Sequence, residues 1–226
     1  MFIRLLLISI LLPLLALSTF AQEDDKTMSW LASGAATASY SPNNLDFTLA
    51  MEGVHSEFTL YQDRSPFTNL FNGLHLIGLD YTGEGLDADG NKHDPTYQNM
   101  SLLYSLGLDI YLAEFAHLQP FVAYGVGVST YSKTYTAEDG ETTTYEEKTA
   151  TADMGIYGVN LILELTGKLW LGYAMNFYLE KQAVEYQDTD STIELQSSQT
   201  LMLVWNWERV PIKAIDPKAS FWGGRN

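Results

Sequence analysis

The chain has 226 residues, 46% of them hydrophobic, with no cysteine and a formal net charge of -16 at pH 7. That acidity repels phosphate backbones and argues against nucleic acid as a partner, while the lack of thiols excludes disulfides and thiolate metal sites. The length suits one large all-β domain without a second.

The chain opens with the short basic start Met1-Phe2-Ile3-Arg4, an apolar run from Leu5 to Leu17 and a small-residue end from Ser18 to Ala21. This is the pattern of a secretory signal peptide. The apolar run is too short for a membrane-spanning helix, which needs about 20 residues. Cleavage after Ala21 removes Arg4 and no acid, leaving 11 basic against 28 acidic groups, a formal charge of -17. A polar segment, residues 22–28, follows.

From residue 29 the pattern alternates with period two, the signature of strands. Trp30 to Tyr40 places Ala32, Gly34, Ala36 and Ala38 on one parity between two aromatic ends. Aromatic ends fit the girdles at the two interfaces of a membrane barrel. The next segment sets Leu45, Phe47, Leu49 and Met51 opposite Asp46, Thr48 and Glu52, but Phe58 and Leu60 have switched parity, so a bulge is expected between Gly53 and Ser56. In the third segment, Leu70 to Tyr81, the facing is mixed, and Phe71, Ile77, Leu79 and Tyr81 are assigned to lipid.

Residues 97–112 carry the plainest signal. Met100, Leu102, Tyr104, Leu106, Leu108, Ile110 and Leu112 share one parity, and Asn99, Ser101, Ser105, Gly107 and Asp109 share the other. Apart from Asp109 the polar side is small and uncharged, unlike a face turned to water, which fits a strand crossing an outer membrane. Pro120 to Tyr135 repeats this, with Val122, Tyr124, Val126 and Val128 opposite Ala123, Gly125, Gly127 and Ser129. Tyr157 to Glu164 and Leu169 to Leu179 flank the tight turn Thr166-Gly167-Lys168, a hairpin signal. Leu201, Leu203, Trp205 and Trp207 alternate along the last segment before Arg209-Val210-Pro211.

Eight strands result, with expected outer connections at 41–44, 83–96, 136–148 and 187–192, and inner ones at 63–69, 113–119 and 166–168. The chain is therefore read as a signal peptide (1–21), a short segment (22–28), an eight-stranded antiparallel up-and-down transmembrane barrel (29–208) and a periplasmic tail (209–226). On its export signal, its eight-strand layout over about residues 28–208 and its glycine-spaced strand Pro120-Phe121-Val122-Ala123-Tyr124-Gly125-Val126-Gly127, the chain resembles the OmpA-like and opacity-protein-like outer-membrane barrels. The resemblance implies the outer membrane of a Gram-negative bacterium, insertion by the barrel assembly machinery, lipid and lipopolysaccharide as surroundings, and exposed loops able to make contacts. It implies no shared reaction. Members of the group commonly end on an aromatic residue, whereas this chain continues past Trp207.

Trp30, Tyr40, Tyr81, Trp205 and Trp207 are the expected interface aromatics. Glu52, Asp109, Asn160, Glu164, Asn176 and Glu180, with Asp46, form an expected polar lumen, for which Lys133, Lys181 and Arg64 are the nearest bases. Eight strands leave room only for side chains, so packing is favoured over conduction and no open channel is expected.

No catalytic, cofactor or metal residues are assigned. The histidines, His55, His75, His93 and His117, fall in separate segments; His93 and His117 belong to opposite ends, His75 to a lumen or interface position, and adjacent His55 and Ser56 point to opposite sides. The loop Asp87-Ala88-Asp89-Gly90-Asn91 invites a calcium reading, but Lys92 and Gln98 stand where an EF-hand loop needs Gly and Glu. The expected role is structural or surface-interactive, as a monomer. Two alternatives compete, a periplasmic binding barrel of lipocalin type, since alternation alone does not say which face is inside, and a lipid A-modifying barrel enzyme.

Overall fold

The computed structural model describes residues 27–42, 46–63, 70–113, 115–166, 168–179, 181–185 and 190–207. Residues 1–21, read above as a signal peptide, residues 209–226, Glu180 and Arg64 lie outside them. The strands are β1 (Thr27–Pro42), β2 (Leu49–Asp63), β3 (Leu70–Gly83), β4 (Gly85–Leu86), β5 (Lys92–Leu108), β6 (Ile110–Ala113), β7 (Ala116–Thr136), β8 (Thr142–Glu164), β9 (Leu169–Tyr178), β10 (Lys181–Glu185) and β11 (Asp190–Trp207).

Each strand pairs antiparallel with its neighbours: β1 with β2, β2 with β3, β3 with β5, β5 with β7, β7 with β8, β8 with β9, β9 with β11, and β11 back with β1. The circle closes on eight staves, because β4 and β6 are short additions and β10 continues the β9 stave against β11. Closure removes the unpaired edges that an open sheet would expose. The near end is where β1 begins and β11 ends, and the far end is opposite.

The outer surface is apolar around the circumference: Leu31 on β1, Phe58 on β2, Leu76 on β3, Leu102 on β5, Val126 on β7 and Leu203 on β11 all stand exposed. The interior carries His55, Glu57, Ser105, Asn176 and Thr200, all buried, together with a stack of tyrosines. This is the reverse of a water-soluble barrel and matches a lipid-facing one. For β5 the parity expected from the sequence holds, with Met100, Leu106 and Leu108 outward and Ser101, Ser105 and Asp109 inward.

β3 runs opposite to expectation. Phe71, Ile77, Leu79 and Tyr81 are buried inside, and Leu70 and Leu76 face out. Two polar residues explain the mixed pattern: His75 must face the lumen to reach Thr59 and Ser105, and Asp80 faces outward near the far end, beyond the apolar band. Nor does β2 bulge at Gly53 to Ser56, since its registers with β1 and β3 run unbroken. Leu49 and Met51 point inward because the lumen is itself apolar at that height, beside Tyr40, Tyr81 and Tyr97. Register shifts occur instead between Thr37 and Ala38 against β11, and between Tyr131 and Lys133 against β8.

The far connections are also more ordered than expected. The stretch 83–96 is a hairpin, since β4 pairs with the start of β5 and Gly90 takes φ +84° at the turn. Residues 142–148 belong to β8, so the β5–β7 and β7–β8 ladders extend to Thr136 and Thr142, well past the apolar band. The wall is drawn tight where β5 meets β7: a Cβ at Gly125 would run into the Leu102 carbonyl oxygen and the Leu103 Cα. Only glycine permits that approach.

Candidate functional site

Alternation places His55, Glu57, Thr59 and Tyr61 of β2 in one inward-facing row, and the neighbouring strands bring partners to it. Glu57 is the hub. Its Oε1 accepts hydrogen bonds from Trp30 Nε1 at 3.0 Å, Thr59 Oγ1 at 2.5 Å and His75 Nδ1 at 2.7 Å. On the other side, His55 Nε2 lies 3.2 Å from Oε2. If Nδ1 of His75 donates to the carboxylate, Nε2 is left as an acceptor, and Ser105 Oγ stands 2.6 Å from it. His55 Nδ1 meets Ser198 Oγ at 2.6 Å and the Tyr178 hydroxyl at 3.0 Å, while Asn176 Nδ2 donates to Ser198. A carboxylate buried without donors would be costly; this one draws on three strands, β1, β2 and β3.

The same pairing recurs at both ends. Near the near end, His117 Nδ1 lies 3.1 Å from Asp109 Oδ1, its ring stacked on Trp170, while the Tyr61 hydroxyl receives Gln119 Nε2. At the far end, His93 Nε2 lies 2.9 Å from Asp87 Oδ2. Asp87 also accepts from the backbone N–H groups of Asp89 and Asn91 and from Asn91 Nδ2. Burial pushes the Asp87 carboxyl up, but His93, the Asn91 side chain and the two backbone donors outweigh it and hold it well below the usual carboxylate range. Its oxygens are thus spent on the hairpin turn.

All four histidines therefore face carboxylates, in three storeys along the barrel. Sequence reasoning missed this pairing. The sequence pattern points to Lys133, Lys181 and Arg64 as the nearest bases and does not single out Glu57. The legible signal was the i, i+2 spacing of His55 and Glu57, which puts both on one side of one strand. His93 and His117 do sit at opposite ends, and His55 and Ser56 do face opposite ways.

Of the expected polar lumen, Asp109, Asn160 and Asn176 are buried inside. Glu52 is not: it is exposed at the far end, in an open groove with Thr82, Glu84, Lys92 and Asp94. Asp46 is exposed beside β2, and Glu164 is half-buried at the near turn. Three expected interface aromatics are also corrected. Trp30, Tyr40 and Tyr81 are all inside, because a barrel this narrow is filled by its own side chains and rings fill it efficiently. Trp30 Nε1 donates to the Glu57 carboxylate, and Tyr40 reaches Ser191. Trp205 does face outward at the near end; the backbone of Trp207 closes β11 opposite Thr27.

No family model matches the chain, and no curated protein matches it in sequence. Solved structures are similar to it in layout. The outer membrane protease OmpT from Escherichia coli shares 9% identity at a TM-score of 0.47, over 82% of this chain and 98% of that one. The outer membrane protein OprG from Pseudomonas aeruginosa shares 11% at 0.46, over 81% and 95%. Ail, the attachment invasion locus protein of Yersinia pestis, shares 8% at 0.41, over 82% and 100%. These likenesses concern strand layout alone. The resemblance to the OmpA-like outer-membrane barrels holds at that level, as a closed antiparallel circle of eight staves.

Proposed function

We propose that the chain works in the outer membrane of a Gram-negative bacterium as a barrel with a structural or surface-interaction role, its far end turned outside. One observation carries the reading: an apolar outer face wraps a polar interior. Burial of that band in lipid anchors the protein. The ladders extending beyond the band, with exposed Glu138, Asp139 and Glu141 at their tip, offer a contact surface to partners outside. In this reading residues 1–21 are cleaved on export, the barrel assembly machinery inserts the remainder as a monomer, and lipopolysaccharide surrounds the belt.

The same facing argues against the lipocalin alternative, whose apolar residues would line the cavity. A lipid A-modifying enzyme needs reactive groups open to lipid or to the outer rim. His55, His75 and Glu57 instead point into a packed lumen, and at the far rim the Asp87 oxygens beside His93 are taken up by the hairpin turn.

Cell fractionation and gel mobility test the proposal together. The mature protein should appear in the outer-membrane fraction and migrate faster unheated than boiled. Recovery as a soluble periplasmic protein would overturn it. Unchanged lipid A acylation on overproduction is expected, and altered acylation would favour the enzyme.

A further inference from the structure

Lys133 lies on β7 where the register against β8 shifts, and faces inward at the far mouth of the lumen. It is about nine-tenths buried, at 8% exposure. Its Nζ stands 5.5 Å from the ring centre of Tyr40 and 5.8 Å from those of Tyr135 and Tyr145. The salt bridges among the described residues go to Lys92 and the histidines, and Lys133 has none. An ammonium over ring faces gains electrostatic attraction, yet its three N–H donors still want oxygen. No hydrogen bond or ion pair from the described residues takes up these donors, which are left to whatever enters the mouth.

The surroundings say what kind of group would complete the site. Tyr135 and Tyr145 are only half-buried, as is Phe47, which packs against His93 at 5.1 Å between ring centres; His93 in turn meets Tyr135 at 5.3 Å. Aromatic surface is thus open beside the ammonium. The carboxylate of Asp87, in the adjoining hairpin, is committed to His93 and its own turn. His93 Nδ1 is buried with no partner, a second unmet polar atom in the same cluster.

We propose that the far mouth is a binding site for a small organic carboxylate, its oxygens on Lys133 Nζ and its apolar body against Tyr135, Tyr145 and Phe47. The acidic tip beyond it, with Glu138, Asp139 and Glu141 exposed, disfavours large polyanions, so a singly charged ligand fits the mouth. An apolar body suits the walls beside the ammonium, which are the rings of Tyr40, Tyr135 and Tyr145.

Titration calorimetry on the full mature protein in dodecylmaltoside micelles tests this, with benzoate as probe and benzamide and inorganic phosphate as comparisons. Saturable benzoate binding is expected, at least tenfold weaker for benzamide and for phosphate. Lys133→Met, which keeps the stem and removes the charge, should weaken benzoate at least tenfold while retaining the heat-modifiable mobility of the folded barrel. Tyr145→Leu, a half-buried position, provides a second variant and should weaken benzoate severalfold. Absence of saturable binding, equal binding of benzamide or phosphate, or undiminished binding by a folded K133M protein would each overturn the site.

Discussion

Glu57 concentrates the interior's electrostatics in one carboxylate. Trp30, Thr59, His75 and His55 approach it from β1, β2 and β3, and the histidines extend the network to Ser105 on β5 and Ser198 on β11. Removing the charge while keeping the shape leaves donors facing an amide that is itself half donor. Glu57→Gln should therefore destabilise the barrel by about 3 kcal/mol, the scale of breaking a buried pair, read as the urea midpoint of unfolding from lipid vesicles. A wild-type midpoint would show that Glu57 does not hold the lumen together. That polar groups would line the inside of β5 was legible in the sequence, because Ser101, Ser105 and Asp109 alternate with an unbroken aliphatic row. The Glu57 hub was legible only in its i, i+2 spacing from His55; Trp30 and His75 come from neighbouring strands 27 and 18 positions away, and the network's reach to Ser198 spans 143 positions from His55, which no local spacing encodes. Trp30 misled for a related reason: an aromatic at a strand end reads equally well as girdle or as lumen filling, and only the indole N–H finding Glu57 decides it.

At the scale of strands, legibility followed the contrast between faces. β5 and β7 set aliphatics against Ser, Gly and Ala and could be oriented by inspection. β3 sets Leu against Leu, with Asn72, His75 and Asp80 scattered over both parities, and its facing is decided by neighbours. The absence of native cysteine makes this directly measurable. Single cysteines at Leu76 and Ile77, each carrying an environment-sensitive fluorophore, should differ: the Leu76→Cys label quenched by a lipid-phase quencher, the Ile77→Cys label protected. The opposite result would restore the facing read from sequence. The hairpin linking β4 and β5 makes a second element-scale case. Asp87 has a depressed carboxyl, so its contribution to the turn is complete above the ordinary carboxylate pKa, about 3.9, and disappears only as pH falls through the lower folded value. The amide resonances of Asp89 and Asn91, which donate to Asp87, should accordingly hold steady from pH 7 to 4. A titration centred near pH 4 would contradict the hydrogen bonds assigned to it.

The whole molecule is organised by two boundaries: one between lumen and lipid, which runs through every strand with period two, and one between lipid and water, which crosses every strand at the end of the apolar band. The second can be followed along the outer face of β5, where Leu108, Leu106, Tyr104, Leu102 and Met100 give way to Gln98 and then Thr96. Since successive residues of one face lie about 7 Å apart along a strand, Leu102 and Gln98 differ by two steps on the same side of the same strand. They share parity and the same two flanking strands, with Leu102 between Leu76 and Val126 and Gln98 between Asp80 and Thr130, so the step in depth is also a step from apolar to polar neighbours. An arginine near the bilayer midplane of a barrel costs about 2–4 kcal/mol, and near the interface about 0–1. Leu102→Arg should thus lower the stability of the vesicle-embedded barrel by about 1–4 kcal/mol more than Gln98→Arg, measured by reversible unfolding. Equal costs for the two would mean that both positions meet the same solvent. The outer face would then lie in water throughout, and the apolar band would need a protein partner to cover it.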